Sequence, residues 1–381
     1  MAFYFDHNAA TPVSPEALAA FTAAARDIFG NPSSIHSPGQ AARQTVEAAR
    51  RDVAALLGAA PKEIVFTSGG TEADNLALFG IATRHVIVSA VEHPAVLAAS
   101  AELQRRGTAV SIAPVTPEGV IDLDALRALV TPETDLISVM HANNETGAVQ
   151  PLAALAAIAR DAGALLHSDG VQAAGRMPVD VQALGVDLYT ISGHKLGAPK
   201  GIGALYIRDG VQLRGQIFGG RHERERRAGT ENVPGIAALA AAARWTRAHR
   251  DHEATRLGAL RDRLELGVLA RIPQTRVNAA GVPRAANTTN LRFAGLEGES
   301  LVIALDLAGF AVSTGAACSS GAVAPSHVLL AMGLDAAQAR ASLRFSLGRG
   351  NDEAQVDALL DALESTVARL RKLSPVYVPA I

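Results

Sequence analysis

Short apolar segments bounded by turn residues recur through the first 210 residues of the chain. Each is five or six residues long, which suits a strand buried on both faces of a sheet. The segments are EIVFT (63–67), HVIVS (85–89), DLISV (135–139), ALLHS (164–168), DLYTIS (187–192) and GALYI (203–207). This pattern predicts strands of one buried sheet.

Longer segments rich in alanine and leucine separate these strands. They cover 71–82, 94–106 and 151–162, and each is long enough for three or more helical turns. Because strands and helices alternate, we expect an α/β fold with a mostly parallel central sheet flanked by helices on both faces.

The pattern changes after about residue 234. A long helical segment is followed by two short strand candidates, NTTNLRF and ASLRFSL, and by a final helix over 352–372. The 381 residues also exceed the roughly 250 to 300 that one core usually serves. We therefore predict a large domain over 15–250 and a smaller α+β domain formed by 1–14 and 251–381.

The composition narrows the class of protein. Apolar residues make up 49% of the chain and aromatic residues 4%, so the core must consist mainly of aliphatic side chains. The 35 basic and 37 acidic residues give a net charge of −2, which favours a small-molecule substrate over nucleic acid or an anionic membrane. Without a signal-peptide pattern or a long apolar run, we expect a cytoplasmic protein that does not bind membranes.

Candidate chemistry follows the predicted strands, because ligands of open parallel sheets bind beyond the carboxyl ends of the strands. Gly70 and Thr71 of SGGTEADN open a helix, where free backbone N–H groups favour an anion such as phosphate. An ordinary helix cap has the same sequence pattern, so both interpretations stay open.

Further polar residues follow the next three strands. His93 precedes a helix, Asn144 belongs to the polar cluster MHANNETG, and Asp169 with Gln172 follows ALLHS. A lone histidine is often only a cap or a surface residue. A carboxylate at the end of a buried strand, in contrast, needs a cationic partner or hydrogen bonds to stay ionised.

A glycine-rich turn after DLYTIS carries Ser192, His194 and Lys195. Desolvation lowers the pKa of a lysine, and a neutral amine can condense with an aldehyde. An exposed loop lysine is the alternative. Together, an amine, a carboxylate, a histidine and an anion site are the groups that pyridoxal phosphate requires.

The chain resembles the cysteine desulfurases of the NifS and IscS type, which belong to the class V aminotransferase family and to the fold-type I pyridoxal phosphate enzymes. The resemblance extends to about residue 350. It rests on YFDHNAATPV, GNPSSIHSPG, FTSGGTEADN, EHPAV, NNETGAVQP, HSDGVQAAG, SGHKLGAPKGIGALY, AGTENVPGI, STGAACSSG, SHVLLAMG and LRFSLGR. SGGTEADN and STGAAC depart slightly from the usual motifs but keep the key side chains.

The resemblance implies roles for cofactor-binding residues. Lys195 would hold pyridoxal phosphate covalently, Asp169 would pair with its ring nitrogen, and His93 would stack on the ring. Further contacts to the ring hydroxyl and the phosphate would come from Gln172, Asn144, Gly70, Thr71, Ser192, His194 and, from the second subunit of a homodimer, Thr230.

The resemblance also assigns the substrate and the nucleophile. Arg344 would clamp the substrate carboxylate, since a guanidinium meets both carboxylate oxygens, and Asn144 would assist. A surface arginine is the alternative. Cys318, the only cysteine in the chain, would take sulfur from bound cysteine as a thiolate. A small buried hydrophobic residue is the alternative for a free cysteine.

The implied activity converts L-cysteine to L-alanine and leaves a persulfide on Cys318, with Lys195 as general base and His93 as proton shuttle. The sulfur would then pass to an acceptor protein such as an iron–sulfur scaffold, while a carrier for tRNA thiolation stays open. The alternatives are a selenocysteine lyase, a cysteine sulfinate desulfinase and a non-catalytic scaffold. No metal site is expected, and the alternating charges of RHERERR (221–227) suggest a solvated loop at the dimer edge.

Overall fold

A seven-stranded mixed sheet forms the centre of the larger part of the molecule. The computed structural model describes residues 3–81, 83–315, 324–375 and 377–378. The strands of the described chain are β1 (Phe3–Tyr4), β2 (Ile64–Thr67), β3 (His85–Ser89), β4 (Ala109–Ala113), β5 (Thr134–Ser138), β6 (Leu165–Asp169), β7 (Leu188–Ser192), β8 (Gly203–Ile207), β9 (Thr275–Val277), β10 (Thr288–Phe293), β11 (Phe310–Ala311) and β12 (Ser342–Ser346).

The strand order in the large sheet is β2-β8-β7-β6-β5-β3-β4. Only β8 runs against its neighbours β7 and β2, so the predicted mostly parallel sheet is confirmed. All six strands predicted from apolar runs form within one residue of their expected bounds. The run at 109–113 was missed because this edge strand is only partly buried and lacks a continuous apolar pattern.

Helices cover both faces of this sheet and extend into the second half of the chain. They are α1 (Pro15–Asp27), α2 (Ser37–Leu57), α3 (Gly70–Ile81), α4 (Pro94–Arg105), α5 (Leu123–Leu129), α6 (Leu152–Ala162), α7 (Val181–Leu184), α8 (Val233–Arg271), α9 (Gly298–Leu307), α10 (His327–Ala331), α11 (Ala336–Arg340) and α12 (Glu353–Leu373). None of the described helices combines the length and apolar composition needed to span a bilayer.

A smaller antiparallel sheet, ordered β12-β10-β9, packs on helices of the C-terminal half. Its core contains Leu291, Phe293 and Phe345 together with Phe5 from the N-terminal segment. The N-terminal strand β1 pairs in parallel with β11, so the first residues of the chain lie beside the last third of the sequence.

Helix α8 crosses residue 250, where the composition predicted a domain boundary. Its first part, including Ala238 and Ala243, is buried in the core beneath the large sheet. Its last part, including Leu260 and Leu264, is buried in the core of the small sheet. The two-domain division stays a prediction, and its boundary would lie inside a continuous helix of 39 residues.

A buried ion pair joins α2 to the charged segment RHERERR. The Arg50 guanidinium donates to both carboxylate oxygens of Glu223, at 2.7 and 2.9 Å, and the Phe66 N–H donates to the same carboxylate at 2.9 Å. Glu223 is 6% exposed, so the expectation of a solvated loop is wrong at this residue. Glu223, Arg224 and Glu225 have left-handed backbones with φ of 47°, 57° and 67°.

Left-handed backbones cost of order 1 kcal/mol or more at each non-glycine residue. The Glu223 carboxylate therefore has to fix this segment against β2 as well as neutralise Arg50. The contact between Glu223 and β2 thereby positions the residues that lead to Thr230.

We predict that Glu223→Ala lowers the free energy of unfolding by about 3 kcal/mol, because it removes the buried partner of the Arg50 guanidinium and leaves only the partly exposed Glu47, 3.1 Å from Nε. Lys62→Ala breaks the exposed pair with Asp209 and should cost less than about 1 kcal/mol. Urea unfolding followed by circular dichroism measures both. Similar small losses for the two variants would show that the buried pair does not hold the segment.

Candidate active site

Loops at the carboxyl edge of the large sheet line a cleft of about 740 Å³. The cleft brings together ten of the residues selected from the sequence: Gly70, Thr71, His93, Asn144, Asp169, Gln172, Ser192, His194, Lys195 and Arg344. Arg344 comes from β12 of the small sheet, and the others lie at the ends of strands of the large sheet or in the segments that follow them. Thr230 is exposed and lines a different cavity, and Cys318 lies outside the described residues.

The Lys195 amine projects into the cleft from the turn that follows β7. Its Nζ donates to the backbone carbonyl of Ala9 at 2.6 Å and to that of Asn8. Burial lowers the pKa of Lys195 to about 7, and the positive charges of Arg176 and Arg344 act in the same direction. A substantial fraction of this amine is therefore neutral at physiological pH, and the exposed-lysine alternative is wrong.

Asp169, the last residue of β6, lies at the floor of the cleft. Its Oδ1 accepts a hydrogen bond from the Val171 N–H at 2.9 Å. Burial raises the pKa of Asp169, while the nearby His93 and Lys195 favour the ionised form. The next residue has to be glycine, because a Cβ on Gly170 would lie 2.0 Å from the ring of Tyr189.

Two further acids, Asp74 of α3 and Glu92, lie close to Asp169 and were missed in the sequence, and Asp74 lines the same cleft. One side-chain nitrogen or oxygen atom from each of Asp74, His93 and Asp169 lies within 4.8 Å of the other two, so the charge of each group affects the pKa of its neighbours. Burial and the charge of Asp169 raise the pKa of Asp74, and burial raises that of Glu92 to about 8. Both acids therefore favour their neutral forms, whereas His93 and Lys195 favour the ionised form of Asp169. Asp74 is the acid on the buried face of α3, and this position in the helix could have identified it from the sequence.

The helix start at Gly70 and Thr71 forms the anion end of the cleft. A Cβ built on Gly70 would lie 3.0 Å from a methyl of Val171 and 3.5 Å from Cβ of Ser192, so the helix start and Ser192 are close neighbours. Burial lowers the pKa of His194 to about 4, and its buried Nδ1 has no hydrogen-bond partner. Backbone N–H groups at a helix start attract anions, and the hydroxyls beside them add donors.

His93 and Gln172 line the same cleft between its two ends. Nδ1 of His93 accepts a hydrogen bond from the Ala95 N–H at 3.1 Å and thereby caps α4. Burial lowers the pKa of His93, so the neutral ring is favoured despite the nearby Asp169. Gln172 donates to the Asn8 carbonyl at 3.0 Å, and its buried Oε1 has no partner.

Arg344 is 4% exposed, so the alternative of a surface arginine is wrong. Its guanidinium donates to the carboxylate of Asp6 at 2.7 Å and to the carbonyl of Asn144 at 3.1 Å. The buried Nε has no hydrogen-bond partner. Arg344 is thus held in a fixed orientation while one donor stays free for an anionic group in the cleft.

The N-terminal segment supplies contacts that the sequence did not reveal. Asn8 accepts from Lys195 and Gln172 through its carbonyl and donates through its side chain to the Asn144 carbonyl at 3.0 Å. Asp6 and Asn8 both belong to YFDHNAATPV, a segment that carried the family resemblance but received no predicted role. The presence of Asp6 and Asn8 in this motif could have indicated that they contact the site.

The arrangement can hold a flat aldehyde that carries an anionic group. A neutral amine can condense with the aldehyde, a buried carboxylate lies at the floor, and a helix start lies at one end. Four buried polar atoms without partners, Asp74 Oδ1, Gln172 Oε1, His194 Nδ1 and Arg344 Nε, belong to residues that line this cleft. Buried polar atoms are rarely left unpaired, so these favour a ligand.

Comparisons with known proteins identify the family of the chain. The family model described as aminotransferase class-V matches residues 3–359. A cysteine desulfurase from Gluconacetobacter diazotrophicus is 47% identical, with 99% of this chain and 96% of the relative covered.

Solved structures give the same result. A NifS-like protein superposes with a TM-score of 0.91 at 36% identity, covering 97% of this chain and all of that one. SspA in complex with cysteine superposes with a TM-score of 0.80 at 32% identity, covering 91% of this chain and 98% of the other. The similarity therefore extends over nearly the whole length of each chain.

We predict that Lys195 reacts with small aldehydes half-maximally near pH 7, because only the neutral amine is nucleophilic and burial lowers its pKa. Reactivity should fall as the pH drops below this value. The measurement is reductive methylation of protein treated with hydroxylamine, with mass spectrometry of the Lys195 peptide. Peptides with Lys62 and Lys372 serve as internal references. A Lys195 profile that rises only near pH 10, as for a free lysine, would contradict the lowered pKa.

Proposed function

The chain belongs to the class-V aminotransferase family and is a cysteine desulfurase of the NifS and IscS type, and from this premise we propose how its own residues carry out the reaction. The substrate is L-cysteine, the product is L-alanine, and the sulfur passes to Cys318. The observation that carries the proposal is the position of the Lys195 amine, whose pKa burial lowers to about 7, in one cleft with the buried Asp169 and Arg344. Gly315 and Ala324, which flank the sequence around Cys318, line the same cleft.

Pyridoxal phosphate is the cofactor that the class-V family implies. Lys195 would bind it covalently, Asp169 would pair with its ring nitrogen, and Gln172 and Asn144 would contact the ring hydroxyl. Gly70, Thr71, Ser192 and His194 would hold its phosphate. When bound, the cofactor supplies an electron sink next to the Cα of the substrate. The anion end of the cleft and the unpaired atoms of Gln172 and His194 support this assignment.

The residues of the chain bind the substrate and move its protons. Arg344 would bind the substrate carboxylate through its free Nε, with Asn144 beside it. The released amine of Lys195 would accept the Cα proton, for which a pKa near neutrality is suitable. His93, neutral and close to both Asp169 and Lys195, would carry protons to and from the substrate.

Sulfur transfer then needs no outside oxidant. The Cys318 sulfur forms a bond to the substrate sulfur as the bond between that sulfur and Cβ breaks. The electron pair of the broken bond stays on Cβ, which takes up a proton to give the methyl group of alanine. Cβ is thereby reduced and the transferred sulfur oxidised, so a persulfide on Cys318 accounts for all atoms and electrons.

A second copy of the chain would complete the cleft. Thr230 is exposed and lies outside the cleft of its own chain, and Phe218 of the same segment is 79% exposed. The Ala228 N–H donates to the Ile217 carbonyl at 3.4 Å. The part of the segment that contains Phe218 therefore lies beside the part that leads to Thr230. We propose that this surface packs on a second subunit and brings Thr230 to the phosphate of the partner.

The persulfide would pass its outer sulfur to an acceptor protein by attack of an acceptor thiol. An iron–sulfur scaffold is the acceptor that we propose. A selenocysteine lyase or a cysteine sulfinate desulfinase would use the same cofactor residues, and the names of the relatives favour cysteine as the substrate.

We predict that Cys318→Ser abolishes alanine formation from L-cysteine, because it removes the sulfur acceptor, and leaves the visible absorbance of the purified protein unchanged. Wild-type protein mixed anaerobically with L-cysteine should gain one sulfur atom on the Cys318 peptide by mass spectrometry. Selenocysteine and cysteine sulfinate are tested in parallel. Full activity of Cys318→Ser with L-cysteine would refute transfer to this residue, and activity only with the other two substrates would favour the alternatives.

We predict that Thr230→Asp weakens cofactor binding by at least about tenfold, because it places a carboxylate against a phosphate, whereas Thr230→Ser keeps the hydroxyl. Heterodimers of Lys195→Ala with Thr230→Asp decide whether Thr230 acts across subunits. If Thr230 acts across subunits, the Thr230→Asp chain keeps its own Lys195 and receives Thr230 from the Lys195→Ala chain. The heterodimer then has one intact site and about half of the wild-type activity. Heterodimers without an intact site would mean that Thr230 serves its own chain.

A further inference from the structure

A single buried carboxyl group, that of Glu145, contacts the chain on both sides of residues 316–323. Glu145 is 2% exposed and follows Asn144 in the loop after β5. We propose that Glu145 is a positioning residue that fixes both flanks of the segment carrying Cys318 and thereby controls the sulfur-transfer step. The proposal rests on the proposed function, in which Glu145 has no assigned role.

The N-terminal flank passes directly against the Glu145 side chain. The φ of Gly315 is +91°, which favours glycine, and a Cβ built there would lie only 3.0 Å from Glu145 Oε2. The Gly315 N–H donates to the Ser313 hydroxyl at 3.1 Å. Ser313 in turn accepts from the Arg344 N–H at 2.7 Å. This flank is therefore held between β12 and Glu145.

The C-terminal flank meets the same carboxylate oxygen. The Ser326 hydroxyl donates to Glu145 Oε2 at 2.5 Å, and it also accepts from the Leu329 N–H at 3.2 Å as the cap of α10. Next to it, Nε2 of His327 lies 2.9 Å from the Glu92 carbonyl. Oε2 of Glu145 therefore accepts a hydrogen bond from the flank after Cys318 and lies close to the flank before it.

Glu145 is itself held firmly in the wall of the cleft. Its N–H donates to the Asn143 side chain at 2.8 Å, and its carbonyl accepts from the Asn290 amide at 3.3 Å. The preceding residue, Asn144, accepts from Arg344, the proposed receptor of the substrate carboxylate. The loop that orients the substrate thus also fixes the ends of the segment that delivers the nucleophile.

This geometry separates sulfur transfer from cofactor binding. Glu145 makes no described hydrogen bond to Lys195, Asp169 or the helix start at Gly70. Its loss would release the two flanks while the amine and the anion end of the cleft keep their contacts. The structure therefore predicts that sulfur transfer slows while cofactor binding is retained.

The test compares Glu145→Ala, Glu145→Gln and Glu265→Gln in the cofactor-loaded enzyme. Glu265 is a matched control, since this buried acid pairs with Arg284 at 2.6 Å outside the cleft. We expect Glu145→Ala to slow persulfide formation on Cys318 by at least about tenfold, the rate equivalent of one hydrogen bond to a carboxylate. Glu145→Gln keeps an oxygen for Ser326 and should recover most of the rate. Glu265→Gln should match the wild type.

Two further measurements separate positioning from general damage. The visible absorbance of Glu145→Ala should match that of the wild type, and its cofactor affinity should stay within about twofold. A twofold change in affinity is much smaller than the loss of one hydrogen bond would cause. Hydrogen exchange should rise at both 313–315 and 324–327 in Glu145→Ala, but only at 324–327 in Ser326→Ala. Wild-type rates and exchange in Glu145→Ala would overturn the proposal. Equal loss of cofactor would do so as well, because the role would then be structural.

Failure of the proposed function gives a different result. If the wild-type protein forms no persulfide on Cys318, the assignment of the reaction is wrong before any variant is compared. If the wild type forms the persulfide and Glu145→Ala forms it at the same rate, only the role of Glu145 is refuted.

Discussion

A substantial fraction of the Lys195 amine has to be uncharged inside a cleft that also contains buried acids, and much of the site follows from this constraint. Removal from water lowers its pKa to about 7, and Arg176 and Arg344 oppose its protonation. Asp74 and Glu92 would favour the charged amine if they were ionised, but burial raises the pKa of both. One effect, desolvation, thus keeps the lysine reactive and these acids neutral.

Three parts of the chain that are distant in sequence have to meet to create this environment. The parallel strands bring their carboxyl ends to one edge of the large sheet, and β12 of the small sheet adds Arg344. The N-terminal segment joins the two, because Asn8 bonds to Lys195 and Gln172 on one side and to Thr288 of β10 on the other. The pKa of the lysine is therefore a property of the assembled fold.

The central sheet and most of the cleft could be predicted because both depend on local patterns. Buried strands are continuous apolar runs, and polar residues placed directly after them must collect at one edge. Asn8 was missed because it acts on Lys195 through a backbone carbonyl, which leaves no signal in the residue type. Asp74 was missed because its partners come from other strands, and Glu223 because its buried partner, Arg50, is distant in sequence.

The helix α8 has a consequence for how this polypeptide can be divided. Between Thr246 and Leu257 none of its residues is buried, so about 15 Å of helix bridges the two cores. A split enzyme or a circular permutant opened near residue 250 would therefore cut through a continuous spacer. Each fragment would have to end its half of α8 in solvent, without a cap. Fragments or fusion junctions are better placed in a surface turn than at the point where the composition changes.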